Sequence, residues 1–139
     1  MQLPDCLFCK IVKGEIPSFK VSEDDKTLAI LDINPVSRGH TLVLPKDHYV
    51  NILDTPEPAL AATMQATKKV AKALTAYSEG VNVNHNANKA AGQVVDHLHF
   101  HIIPRYVSDG LQLWKGRGGY GKEEALEVLA AIRKLLKEQ

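Results

Sequence analysis

Cysteine and excess charge are both scarce in this chain. It has only two cysteines, Cys6 and Cys9, among 139 residues, so nothing indicates a framework of structural disulfides. Lysine and arginine together number 17, and aspartate and glutamate 16, which gives a net charge of +1. This balance excludes a strong overall field, and we expect neither nucleic acid nor an anionic membrane as a partner.

Long hydrophobic runs are also missing, and the longest is far too short to cross a bilayer. The opening residues, MQLPDC, have neither the basic nor the apolar segment of a secretory signal, and we expect a cytoplasmic protein. Core-forming residues, in contrast, are plentiful, since 45% of the chain is hydrophobic. That amount at this length fits a single domain over residues 1–139.

The local patterns predict an α+β domain. Short runs rich in β-branched and aromatic residues predict roughly five strands in a mainly antiparallel sheet: SFKVSED, TLAILDI, TLVLP, VNVNHN and DHLHFHII. DCLFCKIVKGEIP predicts a short helix capped by Asp5. The spacing of apolar residues predicts a long central helix over Glu57–Tyr77, ended by Gly80, and a C-terminal helix over Lys122–Lys137.

Three of the six histidines stand at alternate positions, His97, His99 and His101, in the last predicted strand. Because successive side chains of a strand point to opposite faces, these imidazoles should share one face. One hypothesis is a three-histidine zinc centre. Two histidines at i and i+2 of a strand can bind one metal, but the third at i+4 is usually too far along, which makes this hypothesis awkward. The other is nucleophilic catalysis on phosphorus, to which a neutral imidazole is well suited.

In the catalytic hypothesis the middle histidine, His99, attacks phosphorus. A hydrogen bond from its other ring nitrogen to a backbone carbonyl would fix the reactive tautomer. His101 would then bind the phosphate or the leaving group, with the side chain of Gln93 as a further donor to the developing charge. For His40 and His85 we expect ordinary hydrogen-bonded or exposed histidines.

The two cysteines form a C-x-x-C pair. From the residues alone three interpretations stay open: half of a zinc site, a redox dithiol, or two small apolar residues on a helix. A redox dithiol usually follows a strand in a βαβ pattern, whereas this pair opens the chain.

The segment HLHFHII resembles the His-x-His-x-His-x-x motif of the histidine triad family of nucleotide hydrolases and transferases. The similarity extends to AGQVVDHLHFHIIPR, LAILDINPVSRGHTLVLPKDHYVNI and the opening CLFCKIVKGEIPS, so it covers most of the chain up to Tyr106. The tail, WKGRGGYG followed by a helix, is most similar to the small prokaryotic Hit-like branch. The resemblance implies the HIT-like fold.

The resemblance further implies a homodimer that binds purine nucleotides or their conjugates. Cleavage would occur at the α-phosphorus through a nucleotidyl-histidine intermediate, with His99 as nucleophile, His101 as the second catalytic group and no cofactor required for the chemistry. Val94 stands where many members of the family have a serine that contacts phosphate. Asp96, directly before the motif, is expected to be a solvated turn residue without a function. The implied nucleotide-binding residues are Asp32 at the ribose, Ile33, Ile30, Phe8 and Ile11 at the base, and Asn86, Gln93 and His101 at the α-phosphate.

A structural zinc ion is also implied, held by Cys6, Cys9, His48 and His97, because some members of the family bind zinc with these residues. His97 would then be a metal ligand and not directly catalytic. The leading functional hypothesis is a hydrolase of the nucleoside phosphoramidase type. The alternatives are a dinucleoside polyphosphate hydrolase and a non-catalytic nucleotide-binding regulatory protein.

Overall fold

The computed structural model describes all residues from Met1 to Gln139. It contains two compact units, Met1–Asp109 and Gly110–Gln139, and the prediction of a single domain stays a prediction. No helix combines the length and apolar character that spanning a membrane requires. The elements are α1 (Leu7–Val12), β1 (Lys20–Glu23), β2 (Thr27–Leu31), β3 (Thr41–Pro45), α2 (Glu57–Tyr77), β4 (Gly80–Asn84), a 3₁₀ turn (Lys89–Ala91), β5 (Phe100–Arg105) and α3 (Lys122–Lys137).

The first unit is built on a five-stranded sheet in the order β1-β2-β3-β5-β4, and every neighbouring pair is antiparallel. The predicted α+β class and the mainly antiparallel sheet are therefore confirmed. β5 lies between β3 and β4, with His101 opposite Leu42 on one side and opposite Asn84 on the other. His101 thus has its main chain in the interior of the sheet.

Alternate residues of the sheet pack against different helices, as the two-residue period of a strand requires. α1 covers one face and the long helix α2 covers the other. The cluster on the α1 side consists of Phe8, Ile11, Leu28, Ile30, Leu42 and Leu44, and the cluster on the α2 side consists of Ala29, Val43, Val70 and Ile102.

The helices have nearly the predicted bounds, but two of their caps differ from prediction. Cys6, not Asp5, caps α1, because its Sγ accepts the backbone N–H of Cys9 at 3.4 Å. α2 ends at Tyr77 as predicted, but the terminating side chain is that of Ser78, whose hydroxyl donates to a carbonyl of the last turn. Gly80 instead begins β4.

The strand predicted for DHLHFHII begins later than expected. β5 starts at Phe100, so His97 and His99 precede the strand and only His101 lies in it. The backbone N–H of Leu98 donates to the carbonyl of Tyr49 at 2.7 Å, and that of His97 donates back to Val95 at 2.9 Å. The bond to Tyr49 ties the histidine segment to the loop after β3, whereas the bond to Val95 forms a tight turn within the segment. Neither bond belongs to the regular ladder of the sheet.

Candidate active site and metal centre

The ring of His99 has its tautomer fixed by its surroundings. Its Nδ1 lies 2.7 Å from the backbone carbonyl oxygen of His97. A carbonyl oxygen only accepts, so Nδ1 carries the proton and Nε2 of the neutral ring keeps its lone pair. Burial lowers the pKa of His99, outweighing the carbonyl contact that raises it. His99 is therefore an uncharged imidazole with the nucleophilic nitrogen unprotonated.

The proton positions on His101 follow from a chain of hydrogen bonds that begins at a backbone amide. The N–H of Val36 donates to Nδ1 of His40 at 3.0 Å, so the neutral His40 ring carries its proton on Nε2. That Nε2 lies 2.9 Å from Nδ1 of His101, which must accept. His101 consequently presents Nε2–H, a donor suited to a phosphoryl oxygen or a leaving group.

Asp32 lies beside this pair of histidines. Its Oδ2 is 3.5 Å from Nε2 of His40, and its Oδ1 accepts the backbone N–H of Asn34 at 2.8 Å. Burial lowers the pKa of both His40 and His101, while the carboxylate of Asp32 raises both values and opposes the burial. Asp32 can therefore partly offset a positive charge that develops on the pair.

A second cluster brings together all four residues predicted to hold zinc. The ligand atoms of Cys6, Cys9, His48 and His97 lie within 4.8 Å of one another. Nδ1 of His97 is 3.3 Å from Sγ of Cys6 and 3.5 Å from Sγ of Cys9, and Nδ1 of His48 is 3.5 Å from Sγ of Cys9. Zinc bond lengths at a tetrahedral angle place nitrogen and sulfur ligands about 3.6 Å apart. The spacing of the donor atoms fits that geometry.

The chemistry of the donors also fits a metal. Nε2 of His97 donates to the carbonyl of Pro45 at 2.8 Å, which leaves the Nδ1 lone pair facing the sulfurs. Burial is the main cause that lowers the pKa of His97 to about 4 and also the main cause that raises the pKa of the Cys9 thiol. Zinc binds neutral imidazole and ionised thiolate. The ring of His97 is already neutral, and the charge of a bound zinc ion would favour the thiolate form of the buried Cys9.

The other interpretations of these residues find less support in the geometry. His97 groups with the cysteines, whereas His101 groups with Asp32 and His40, so the three alternate histidines do not converge as ligands of one metal. Cys6 and Cys9 are free thiols, half-buried and buried. Their sulfurs face His97 and His48, an arrangement that favours metal binding over a redox dithiol.

The side chain of Gln93 is fully occupied within the protein. Its Nε2 donates to the carbonyls of Val50 and Val95 at 2.6 and 3.1 Å, and its Oε1 accepts from Asn51 Nδ2 and the Asn88 amide at 3.1 and 2.8 Å. An amide group has two donor hydrogens and two acceptor lone pairs, so all are used. A phosphate contact by this side chain stays a prediction, and the observed bonds fix the loop that precedes His97.

The remaining predicted nucleotide contacts occupy different environments. Phe8 is buried and contacts the rings of His97 and His99 edge-on, with centroids 5.8 and 5.0 Å apart. Asn86 lies near the position that a side chain on Gly92 would occupy. A base pocket formed by the hydrophobic residues stays a prediction, since Ile11 and Ile30 are buried with Phe8 in the core, whereas Ile33 is 90% exposed.

Val94 and Asp96, the two unexplained positions of the motif, are exposed. Both line an open cavity of about 630 Å³ that also borders Cys6, His48 and Val50. The cavity therefore lies beside the metal cluster and next to the loop held by Gln93.

The sequence did not identify three residues that organise this site. His40 completes the pair with His101, Asn51 joins Gln93 to Asn88, and His85 contacts the carbonyl of His99. His40 is 61 residues from His101 and Asn51 is 42 residues from Gln93. No local pattern encodes contacts over such separations. The one local signal is that His40 directly precedes the buried strand β3.

Known proteins with similar sequences and structures are consistent with this geometry. The HIT domain profile matches residues 13–108. "Protein hit" of Bacillus subtilis is 42% identical over 137 residues, covering 95% of this chain and 94% of its own length. An adenosine 5'-monophosphoramidase of Candida albicans is 45% identical over 106 residues, covering 72% of this chain and 70% of its own.

A solved structure extends the similarity to the whole chain. The zinc-bound histidine triad family protein of Mycobacterium smegmatis superposes with a TM-score of 0.75 at 36% identity, over 97% of this chain and 98% of that one. The domain match spans more than half of the sequence, and relatives above 40% identity cover most of it. The chain belongs to the HIT domain family, among the small Hit-like proteins.

Proposed function

We propose that the protein hydrolyses purine nucleotide conjugates at the α-phosphorus, as a nucleoside phosphoramidase with a nucleotidyl-histidine intermediate. The observation that carries the proposal is the tautomer of His99, whose Nδ1–H is held by the His97 carbonyl so that Nε2 keeps its lone pair. A relative from Candida albicans that is named an adenosine 5'-monophosphoramidase supports the same reaction class.

In the first step Nε2 of His99 attacks the α-phosphorus. The pair of His40 and His101 first takes up one proton from solvent. The nitrogen–phosphorus bond to the imidazole of His99 then forms, the bond from phosphorus to the leaving nitrogen breaks, and that nitrogen takes a proton from Nε2 of His101, which leaves both rings of the pair neutral. Asp32, 3.5 Å from His40, favours the protonated form of the histidine pair that supplies this proton.

In the second step water attacks the phosphorus and the bond to His99 breaks. His101 takes a proton from the attacking water and the pair returns it to solvent, so the reaction releases a nucleoside monophosphate and restores the neutral resting state. Asp32 is proposed to accept hydrogen bonds from the ribose hydroxyls. The residues proposed to line the base pocket are Ile33, Ile30, Phe8 and Ile11. Asn86, Gln93 and His101 are proposed at the α-phosphate.

Cys6, Cys9, His48 and His97 are proposed to hold zinc as a structural ion. Four protein ligands complete a tetrahedral zinc site and leave no open position, so the ion would supply cross-linking and no reaction step. His97 would couple the two sites, because it offers Nδ1 to the cluster while its carbonyl accepts from the ring of His99. The free thiols suit a reducing compartment, and we place the protein in the cytoplasm.

A homodimer is proposed as the functional assembly, as the resemblance implies. Helix α3 has an apolar row at helical spacing, formed by Leu126, Leu129, Ile132 and Leu136, and none of its side chains is buried in the single chain. Exposed apolar rows of this kind are typical of association surfaces. Light scattering during size-exclusion chromatography tests the assembly, and a monomer at micromolar concentration would contradict it.

Activity is tested with adenosine 5'-phosphoramidate and the variant His99→Ala. We expect the wild type to release AMP and the variant to lose at least about a thousandfold in kcat, because the nucleophile is gone. Rapid quenching in alkaline denaturant should trap AMP on the wild-type protein, because the phosphorus–nitrogen bond of a nucleotidyl-histidine is stable to base and labile to acid. Nucleotide binding without turnover or adduct would favour the regulatory alternative, and faster turnover of dinucleoside polyphosphates would favour the other hydrolase.

A further inference from the structure

His85 lies where the ladder between β4 and β5 ends. The two strands pair in register from Gly80 with Arg105 to Asn84 with His101, and no further pair follows. At this end of the ladder the backbone carbonyl of His99 lies 3.1 Å from Nδ1 of His85. A side chain therefore binds the main chain of the proposed nucleophile at the point where the neighbouring strand departs.

The second ring nitrogen of His85 contacts the loop after β3. Its Nε2 lies 3.2 Å from the backbone nitrogen of Ile52. The amide can only donate and the His99 carbonyl can only accept, so both contacts require the same neutral tautomer, with the proton on Nδ1. One imidazole thus joins the peptide group of His99 to a second segment of backbone.

The loop that receives His85 is itself fixed. The carboxylate of Asp54 accepts the backbone N–H groups of Val50 and Asn51 at 3.0 and 2.9 Å. Asn51 in turn donates to Gln93 at 3.1 Å, and the His85 ring lies against Phe100 with centroids 5.3 Å apart. Because this loop is held by its own hydrogen bonds, the contact with Ile52 can keep the ring of His85 in place.

We infer that His85 is a positioning residue that fixes the peptide group of His99, and with it the direction in which Nε2 of His99 attacks phosphorus. The inference rests on the proposed function, which supplies the attack. The His97 carbonyl orients the ring of His99, whereas His85 restrains its main chain. Both restraints matter because a displacement of about 1 Å at a reacting atom lowers rates by up to about a hundredfold.

Two amide substitutions separate the contacts of His85. In His85→Asn the side-chain NH₂ takes about the place of Nδ1 and can still donate to His99, but the contact to Ile52 is lost. In His85→Gln the amide oxygen takes about the place of Nε2 and can still accept from Ile52, but the donor to His99 is lost. His85→Ala removes both contacts.

With adenosine 5'-phosphoramidate we expect kcat to fall about tenfold in His85→Ala and His85→Gln and to recover to within about threefold of wild type in His85→Asn. KM should stay within about twofold throughout, because no nucleotide contact is assigned to His85. A role confined to anchoring the loop predicts rescue by glutamine and not by asparagine. That order, or equal kcat in all variants, would overturn the inference.

Carbonyl-¹³C labelling of the histidines provides a readout that is independent of turnover. Loss of the hydrogen bond should move the carbonyl resonance of His99 upfield in the alanine and glutamine variants and leave it near its wild-type position in His85→Asn. An unchanged resonance in His85→Ala would overturn the contact itself. A wild-type protein that hydrolyses no nucleotide conjugate would instead refute the proposed function, whatever the resonance does.

Discussion

Nε2 of His40 lies 2.9 Å from Nδ1 of His101, and this contact joins the turn before β3 to the second proposed catalytic residue. His40 is in turn held by the N–H of Val36. A backbone amide therefore determines, through two imidazoles, that the hydrogen on His101 resides on Nε2. The protonation state of the proposed acid is set by a residue that makes no assigned contact with substrate.

Replacing His40 should lower the rate without abolishing nucleotide binding. We expect His40→Leu to reduce kcat about 10- to 100-fold, since His101 loses the donor that fixes its tautomer and a general acid contributes rate factors of this order or larger. His40→Gln retains a terminal NH₂ near Nε2 and should recover most of the loss. Steady-state kinetics and AMP titration measure both, and an unchanged kcat in His40→Leu would contradict the relay.

Removing a cysteine ligand should remove the metal. We expect wild-type protein to bind about one zinc ion per chain and Cys9→Ala to bind almost none, with a melting temperature about 10 °C lower because metal binding contributes folding free energy. Mass spectrometry for metals and thermal unfolding measure the two effects. Asp5→Asn is a matched control, because Asp5 lies beside Cys6 in the same cavity but outside the ligand cluster. Full zinc content in Cys9→Ala would refute the site.

The free energy of unfolding should fall in mildly acidic solution. Burial lowers the folded-state pKa of His40 and His101 below the ordinary 6.5, so near neutral pH both rings are uncharged in either state. As the pH falls below about 6.5 the unfolded chain binds protons that the folded chain does not, and stability is lost until the folded-state pKa values are passed. Urea unfolding between pH 7.5 and 5 measures the slope.

The variant His40→Gln serves as the comparison for this pH dependence. It removes one buried titrating ring, so its unfolding free energy should fall less steeply over the same range. An equal slope in wild type and His40→Gln would show that His40 does not contribute.

Replacing Gln93 should chiefly destabilise the fold. Gln93→Ala removes the bonds to the Val50 carbonyl and the Asn88 N–H, and also one of the two bonds made by the Val95 carbonyl and by the Asn51 amide. We expect a loss of about 2–4 kcal/mol in unfolding free energy. Val94→Ala changes a side chain that is 92% exposed and should alter stability by less than about 0.5 kcal/mol. Chemical unfolding measures the free energy of unfolding of both variants. Nearly equal values would show that the hydrogen bonds of the Gln93 side chain contribute little to stability.

Local pattern was sufficient for most of the architecture. TLVLP, Glu57–Tyr77 and Lys122–Lys137 have the predicted bounds, because strand and helix periodicity are properties of neighbouring residues. The start of β5 was predicted wrongly. Leu98 bonds to Tyr49 across the fold, and no local propensity anticipates a main-chain bond to a distant loop.

Sequence patterns alone indicated the class of chemistry, since three alternate histidines with a C-x-x-C pair and the wider resemblance pointed to a nucleophile and a metal-binding set. The nitrogen of each ring that holds its proton became assignable from the folded chain. That depends on the carbonyl of His97, the amide of Val36 and the carbonyl of Pro45. These groups are common to nearly every residue, so their importance comes from where the fold places them and not from side-chain identity.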